Sequence, residues 1–129
     1  MRNLREEGGD LSGVVIGAAI EVHRTLGAGF LESVYEGALA VEFQNRGILF
    51  ERQKIISLTY KGHSIGESRL DFFVENTLVV ELKAVSQLTP LHEAQALSYL
   101  KATDRHLALL INFNVTRLKN GIKRIIRST

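Results

Sequence analysis

Apolar residues recur at helical spacing over two stretches near the start of the chain. The first begins at Leu11, with Asp10 or Ser12 available as a cap, and Gly27 can end it. The second follows the break at residues 27–29 and stops near residues 45–47. We predict two helices. Their apolar positions are Leu11, Val14, Val15, Ala18, Ala19, Val22 and Leu26, followed by Leu31, Val34, Tyr35, Ala38, Leu39 and Phe43.

After about Ile48 the spacing of apolar residues changes toward two, which is typical of β-strands. Three apolar runs follow one another, separated by turn-like residues at 61–63 and at 75–76. Short turns let neighbouring runs pair as hairpins. The middle of the chain is therefore predicted to be an antiparallel meander. The three runs are Ile56 to Tyr60, Leu70 to Val74 and Leu78 to Val85.

Thr89 followed by Pro90 is typical of a helix start and predicts a helix through about Thr103. A buried strand is predicted from His106 to Phe113. A strand, a helix and a strand of this length indicate a right-handed crossover, which places the new strand parallel to the one that carries Glu81. A last helix is predicted at the end of the chain, with one apolar side among basic residues. That side is formed by Leu118, Ile122, Ile125 and Ile126.

Together these elements predict an α/β fold in the order ααβββαβα, with a mixed four-stranded sheet flanked by helices. A chain of 129 residues with 45% hydrophobic content suits one compact domain. We place this domain at residues 10–129 and expect residues 1–9 to form a flexible N-terminus.

Composition narrows the chemistry that this domain can perform. The absence of cysteine excludes disulfides, thiolate zinc sites and cysteine nucleophiles, so carboxylates and histidines are left as metal ligands. The lack of a long apolar run or a signal-peptide pattern predicts a cytoplasmic protein without a membrane partner. Residues 1–85 hold 9 basic and 12 acidic residues, whereas residues 86–129 hold 7 and 2. This basic C-terminal part could attract phosphate, but it is also compatible with an ordinary solvated surface.

Charged residues occur where a strand should be apolar. The two-residue period of a strand places Glu81 and Lys83 on one face and Leu82 on the other, and a hairpin would bring Asp71 beside Glu81. Buried charges are costly unless they are paired or bind a metal, and two carboxylates suit Mg²⁺. The alternative is an ion pair of Lys83 with one of the carboxylates, without metal or reaction.

Three further polar residues indicate a functional site only when they are considered together with Asp71, Glu81 and Lys83. Glu32 lies in the first turn of the second helix, where an acid also complements the helix dipole. Gln95 and Tyr99 are four residues apart and share a helix face, a spacing that ordinary packing residues also have.

The whole pattern resembles the GxxExxY family of the PD-(D/E)xK nuclease-like superfamily. The resemblance rests on Gly29-Phe30-Leu31-Glu32-Ser33-Val34-Tyr35, on Asp71, on Glu81-Leu82-Lys83 and on Gln95 with Tyr99, and it extends from about Val15 to Ile126. It implies a restriction-endonuclease-like core. Leu70 stands where the superfamily name has a proline, a replacement that is common.

The same resemblance implies roles for these residues. Asp71 and Glu81 would bind the metal together with the carbonyl group of Leu82, and Glu32 would support or bind it. Lys83 would be the catalytic helper, while Gln95 and Tyr99 match the QxxxY helix of exonuclease-like branches.

These expectations give two functions to weigh. The first is a nuclease that uses Mg²⁺, with Mn²⁺ as a substitute, to hydrolyse phosphodiester bonds in DNA, with RNA as the less favoured substrate. The alternative is a module on the same fold that binds nucleic acid or a protein without cutting. A homodimer or a protein partner also stays open.

Overall fold

Both predicted N-terminal helices are present. The structure is a computed structural model that describes residues 8–128, with side chains from Leu11 onward. Helix α1 spans Gly8–Leu26 and helix α2 spans Glu32–Asn45. Helix α1 therefore begins before the caps predicted at residues 10 and 12. The flexible N-terminus predicted for residues 1–9 lies, for residues 1–7, outside the described residues.

The rest of the described chain forms a five-stranded mixed sheet with one helix between its third and fourth strands. These strands lie side by side in chain order, and only the third and fourth are parallel. The predicted meander and crossover are therefore confirmed. The bounds are β1 Phe50–Tyr60, β2 His63–Val74, β3 Leu78–Lys83, α3 Pro90–Thr103, β4 Leu107–Asn112 and β5 Ile122–Ile126.

Two hydrophobic cores lie on opposite faces of this sheet. On one face, α1 and α2 pack against inward residues of β2, β3 and β4 such as Phe72, Val80 and Leu109. On the other face, Ala96 and Leu100 of α3 pack against the alternate strand residues. Helix α3 begins as predicted, because the Thr89 hydroxyl accepts a hydrogen bond from the backbone amide of His92. The helices thus cover both faces, as the α/β prediction requires.

The predicted last helix is wrong. Residues Leu118–Gly121 form a 3₁₀ turn, and the following residues form β5, which pairs antiparallel with β4. The sheet consequently has five strands instead of four. A Cβ atom at residue 121 would overlap the carbonyl oxygen of Asn112, so glycine is needed where the chain turns into β5.

Residues 122–126 form a strand instead of a helix because their side chains pack in both hydrophobic cores. Ile122 packs in the core beneath α1 and α2, whereas Ile125 packs in the core beneath α3. Residues three apart share a helix face but point to opposite faces of a strand. A β-branched segment at the sheet edge can therefore fill both cores as a strand. Within residues 8–128, no helix is long and apolar enough to cross a bilayer.

Adjacent isoleucines test this edge strand. Ile125 is 8% exposed and Ile126 is 70% exposed. We expect Ile125→Ala to lower the free energy of unfolding by about 2–4 kcal/mol, because it leaves a cavity. Ile126→Ala, the matched control, should change it by less than about 0.5 kcal/mol. Urea unfolding of both variants measures this, and equal losses would favour the helix.

Candidate active site

Strands β2 and β3 are joined by two carboxylates at the point where their regular pairing ends. Paired residues run from Val74 with Leu78 to Phe72 with Val80. One step further, the amide of Asp71 donates to Oε2 of Glu81 over 2.7 Å, and the amide of Leu82 donates to Oδ2 of Asp71 over 2.8 Å. Each strand therefore holds the carboxylate of the other through a backbone N–H.

The predicted alternation along β3 is confirmed. Leu82 packs in the core beneath α1 and α2, whereas Val79 packs in the core beneath α3. Glu81 and Lys83 therefore share the face on which α3 lies. On that face the Lys83 ammonium donates to Oε1 of Gln95, with 3.5 Å between Nζ and Oε1.

The glycine break before α2 fixes the place of Glu32, the first residue of that helix. Gly29 has a φ of 104°, which favours glycine. The buried Tyr35 hydroxyl donates to the carbonyl oxygen of Gly27 over 2.5 Å and accepts from the amide of Phe30 over 3.2 Å. Its ring stacks on Phe113 at 4.6 Å between centroids. Tyr35 therefore anchors the loop that delivers Glu32.

The acidic side chains affect one another's ionisation. Burial raises the pKa of Glu81 to about 8, and the charge of Asp71 adds to the rise. Burial also raises the pKa of Asp71, with a contribution from the charge of Glu36, while the amide of Leu82 opposes it. Burial and the charge of Asp71 raise the pKa of Glu32, although a helix N-terminus by itself stabilises a carboxylate. Glu32, Asp71 and Glu81 thus form one electrostatic cluster.

Lys83 does not neutralise this cluster by direct pairing. None of the ion pairs between described residues joins Lys83 to Asp71 or Glu81. The structural alternative, in which such a pair holds the sheet together, therefore lacks its central contact. The Lys83 ammonium is one positive charge beside three carboxylates whose pKa values are raised. When all three are ionised, their negative charge exceeds the positive charge of this lysine.

The donor chemistry of the cluster suits a divalent cation. Mg²⁺ takes oxygen ligands, and a carboxylate has about four lone-pair sites, so one amide hydrogen bond does not exhaust it. Within the described residues, however, no three acidic or histidine side chains are arranged as a ready metal site. The acidic residues of the cluster thus suit a cation by their charge and their oxygen atoms. In this structure the carboxylates of Asp71 and Glu81 accept hydrogen bonds from backbone amides.

Contacts or electrostatic interactions connect six of the seven predicted site residues. Asp71, Glu81, Glu32 and Lys83 interact electrostatically, and Gln95 contacts Lys83. Leu82 contributes its amide to Asp71. The Tyr99 hydroxyl accepts a hydrogen bond from the hydroxyl of Ser68 on β2 over 3.1 Å.

Two residues of this site were not predicted from the sequence. The Gln53 amide donates to Oδ1 of Asp71 over 3.3 Å and to Oε1 of Glu36 over 2.7 Å. Glu36 lies one helical turn after Glu32, and this spacing could have identified it. Gln53 lies in a polar run of β1, and nothing in that run distinguishes it.

The protein is thus a mixed α/β sheet covered by helices on both faces, with Asp71 on one strand and Glu81 and Lys83 on the next. A family model for the PD-(D/E)XK nuclease superfamily matches residues 9–125, and the chain belongs to that superfamily. Membership of the GxxExxY family within it stays a prediction.

Other comparisons add little to this assignment. A search of curated proteins returned no match. Among solved structures, the chain is similar to an alkaline exonuclease from Laribacter hongkongensis, with 15% identity and a TM-score of 0.48. That similarity covers 69% of this chain and 52% of the exonuclease chain, so the chain spans about half of that protein.

The raised pKa of Glu81 predicts how stability depends on pH in the absence of metal. Between its ordinary value of 4.5 and about 8, the folded protein keeps a proton that the unfolded chain has lost. Stability should therefore fall as pH rises through this window, by at most about 1.4 kcal/mol per pH unit for this group. Urea unfolding in chelator at several pH values measures the slope.

Glu81→Gln provides the matched control for this slope. The glutamine oxygen can still accept the Asp71 amide, but the side chain does not ionise, so we expect a flatter profile. A slope equal to that of the original protein would show that Glu81 is not the titrating group.

Proposed function

We propose that the chain is a divalent-metal-dependent nuclease that hydrolyses phosphodiester bonds in DNA. The proposal depends mainly on one observation, the exchange of amide hydrogen bonds that holds Asp71 and Glu81 together beside Lys83. Superfamily membership supports the same reaction class. RNA is the second substrate to be tested.

We assign the cation to Asp71 and Glu81, with Glu32 and the carbonyl group of Leu82 as further ligands. Mg²⁺ is the proposed ion, with Mn²⁺ as a substitute. When bound, such a cation activates water and neutralises charge that develops on the phosphoryl oxygens. Burial of Glu81, at 5% exposure, favours this role because a carboxylate that lacks water gains most from a bound cation.

Lys83 is proposed to position the attacking water or a phosphate oxygen. Its ammonium is free of a carboxylate ion pair among the described residues, and the amide oxygen of Gln95 orients it. Gln95 is therefore assigned to the site through Lys83. Tyr99 lies one turn further along α3, and its contact with Ser68 holds the hydroxyl near β2, where it would meet the substrate backbone.

The basic C-terminal region contributes less to the proposal than its charge suggests. Lys123 pairs with Glu93 at 3.0 Å, and Arg127 pairs with Asp104 at 2.9 Å. Part of the positive charge is therefore used within the fold. This leaves the proposed cation site, rather than the basic C-terminal region, as the basis for a nucleic-acid substrate.

Asp71→Asn tests the metal site and keeps the contact with β3, because the asparagine oxygen can still accept the Leu82 amide, although its amide nitrogen cannot accept from Gln53. We expect cleavage of labelled DNA with Mg²⁺ to fall at least about 100-fold, since metal stabilisation of the transition state supplies several kcal/mol. Glu67→Gln, at an exposed position of the same strand, should leave the rate unchanged. Undiminished cleavage by the Asp71 variant would refute the assignment.

Lys83→Met separates catalysis from cation binding. The variant keeps side-chain length and removes the charge, so we expect cleavage to fall at least about 100-fold while Mn²⁺ affinity stays equal or rises. Calorimetric titration with Mn²⁺ and the cleavage assay measure the two effects.

If the original protein binds DNA in a salt-dependent way but never cuts it, the binding-module alternative is correct.

A further inference from the structure

Gln53 has a backbone conformation that is unusual for its place in the chain. It lies within β1, opposite Asp71, between the pairs Arg52 with Phe72 and Lys54 with Leu70. Its φ is 53°, in the left-handed region that side chains other than glycine rarely adopt. The strand therefore departs from regular geometry directly beside the candidate active site.

No turn explains this conformation. The other described residues with positive φ that are not glycine lie in turns or end a helix, where such values are common. Those residues are Lys61, Glu75, Asn76 and Asp104. Among the described residues, Gln53 alone combines a side chain, a positive φ and a position inside a strand. Strained backbone of this kind clusters at functional sites and persists when its surroundings hold it.

The contacts of the Gln53 side chain show what holds it. Its amide nitrogen donates to Oε1 of Glu36 over 2.7 Å and to Oδ1 of Asp71 over 3.3 Å. Since Oδ2 of Asp71 accepts from the Leu82 amide, both oxygens of this carboxylate have a donor. A carboxylate held at both oxygens cannot rotate without breaking a hydrogen bond.

Glu36 gives this arrangement a fixed support. Its Oε2 accepts from Nε of Arg52 over 2.7 Å, so the Glu36 carboxylate is held from β1 while it receives the Gln53 amide. Two consecutive residues of β1 thus contact the same glutamate of α2. The chain of contacts runs from Arg52 through Glu36 and Gln53 to Asp71.

We propose that Gln53 is a positioning residue that fixes the orientation of the Asp71 carboxylate for cation binding. The inference rests on the proposed metal-dependent function and adds a residue to it. The neutral amide suits this place, because it donates to two carboxylates without adding a charge that would compete with a cation. Groups that orient a ligand in this way typically change metal affinity by about 10- to 100-fold when removed.

Two substitutions test the role by different routes. Gln53→Met keeps the length of the side chain and removes the donor, whereas Gln53→Gly removes the side chain and suits the left-handed backbone. We expect both to weaken Mn²⁺ binding at least about 10-fold in calorimetric titration. The Mn²⁺ concentration for half-maximal DNA cleavage should rise by a similar factor, with a smaller change in the rate at saturating Mn²⁺.

Lys61→Gly is the matched control, because Lys61 has a φ of 48° in the turn between β1 and β2. It relaxes a similar backbone strain and should leave Mn²⁺ affinity unchanged. Thermal unfolding in chelator shows whether each variant is folded. If the unfolding midpoint of the Gln53 variants shifts while their Mn²⁺ affinity is unaltered, the role of Gln53 is merely structural and the inference is wrong.

The outcomes for the two proposals are distinguishable. If the original protein binds Mn²⁺ and both Gln53 variants bind it equally well or more tightly, the positioning role is wrong and the metal site stands. If the original protein binds no Mn²⁺ and cuts no DNA, both proposals are wrong.

Discussion

Two backbone amides and two carboxylates link β2 to β3 where their regular pairing ends. The amide of Asp71 serves Glu81, and the amide of Leu82 serves Asp71. This exchange satisfies N–H groups that the ladder no longer pairs, and it fixes both acids at the same place. Because burial of an unpaired charge costs several kcal/mol, the contacts also make the acids tolerable in the fold. The rest of the site is arranged around them.

The neighbouring elements each place one group beside this junction. The crossover through α3 brings Gln95 to Lys83, and the break before α2 brings Glu32 to the acids. The chain after Lys83 is held as well, because the side chain of Asn112 donates to the carbonyl of Val85 and accepts from its amide, at 2.9 and 3.0 Å. Asn112, which is paired with Lys83 across β3 and β4, therefore also holds the backbone that follows Lys83.

Local patterns in the sequence were sufficient to predict much of this arrangement. Periodicity predicted both N-terminal helices, the meander and the crossover, and alternation along β3 placed Glu81 and Lys83 on one face. Periodicity gave the wrong element at the C-terminus, because the spacing of Ile122 and Ile125 fits one face of a helix and also the two opposite faces of a strand. Only the tertiary need to fill both cores distinguishes these options, and that need cannot be read from a short window.

Gln53 shows a different limit of prediction. The role that we propose for it depends on contacts with residues 17 and 18 positions away in the sequence, Glu36 on a helix and Asp71 on the paired strand. Its polar neighbours in β1 give no local sign of this. At one place the protein thus combines a strained backbone, a buried acid and a lysine without a carboxylate partner among the described residues. Strained backbone and buried charge both cost stability, and departures from local rules concentrate where function requires them. Their coincidence around Asp71 is a second physical argument, beside the exchange of amide hydrogen bonds, for proposing the site there.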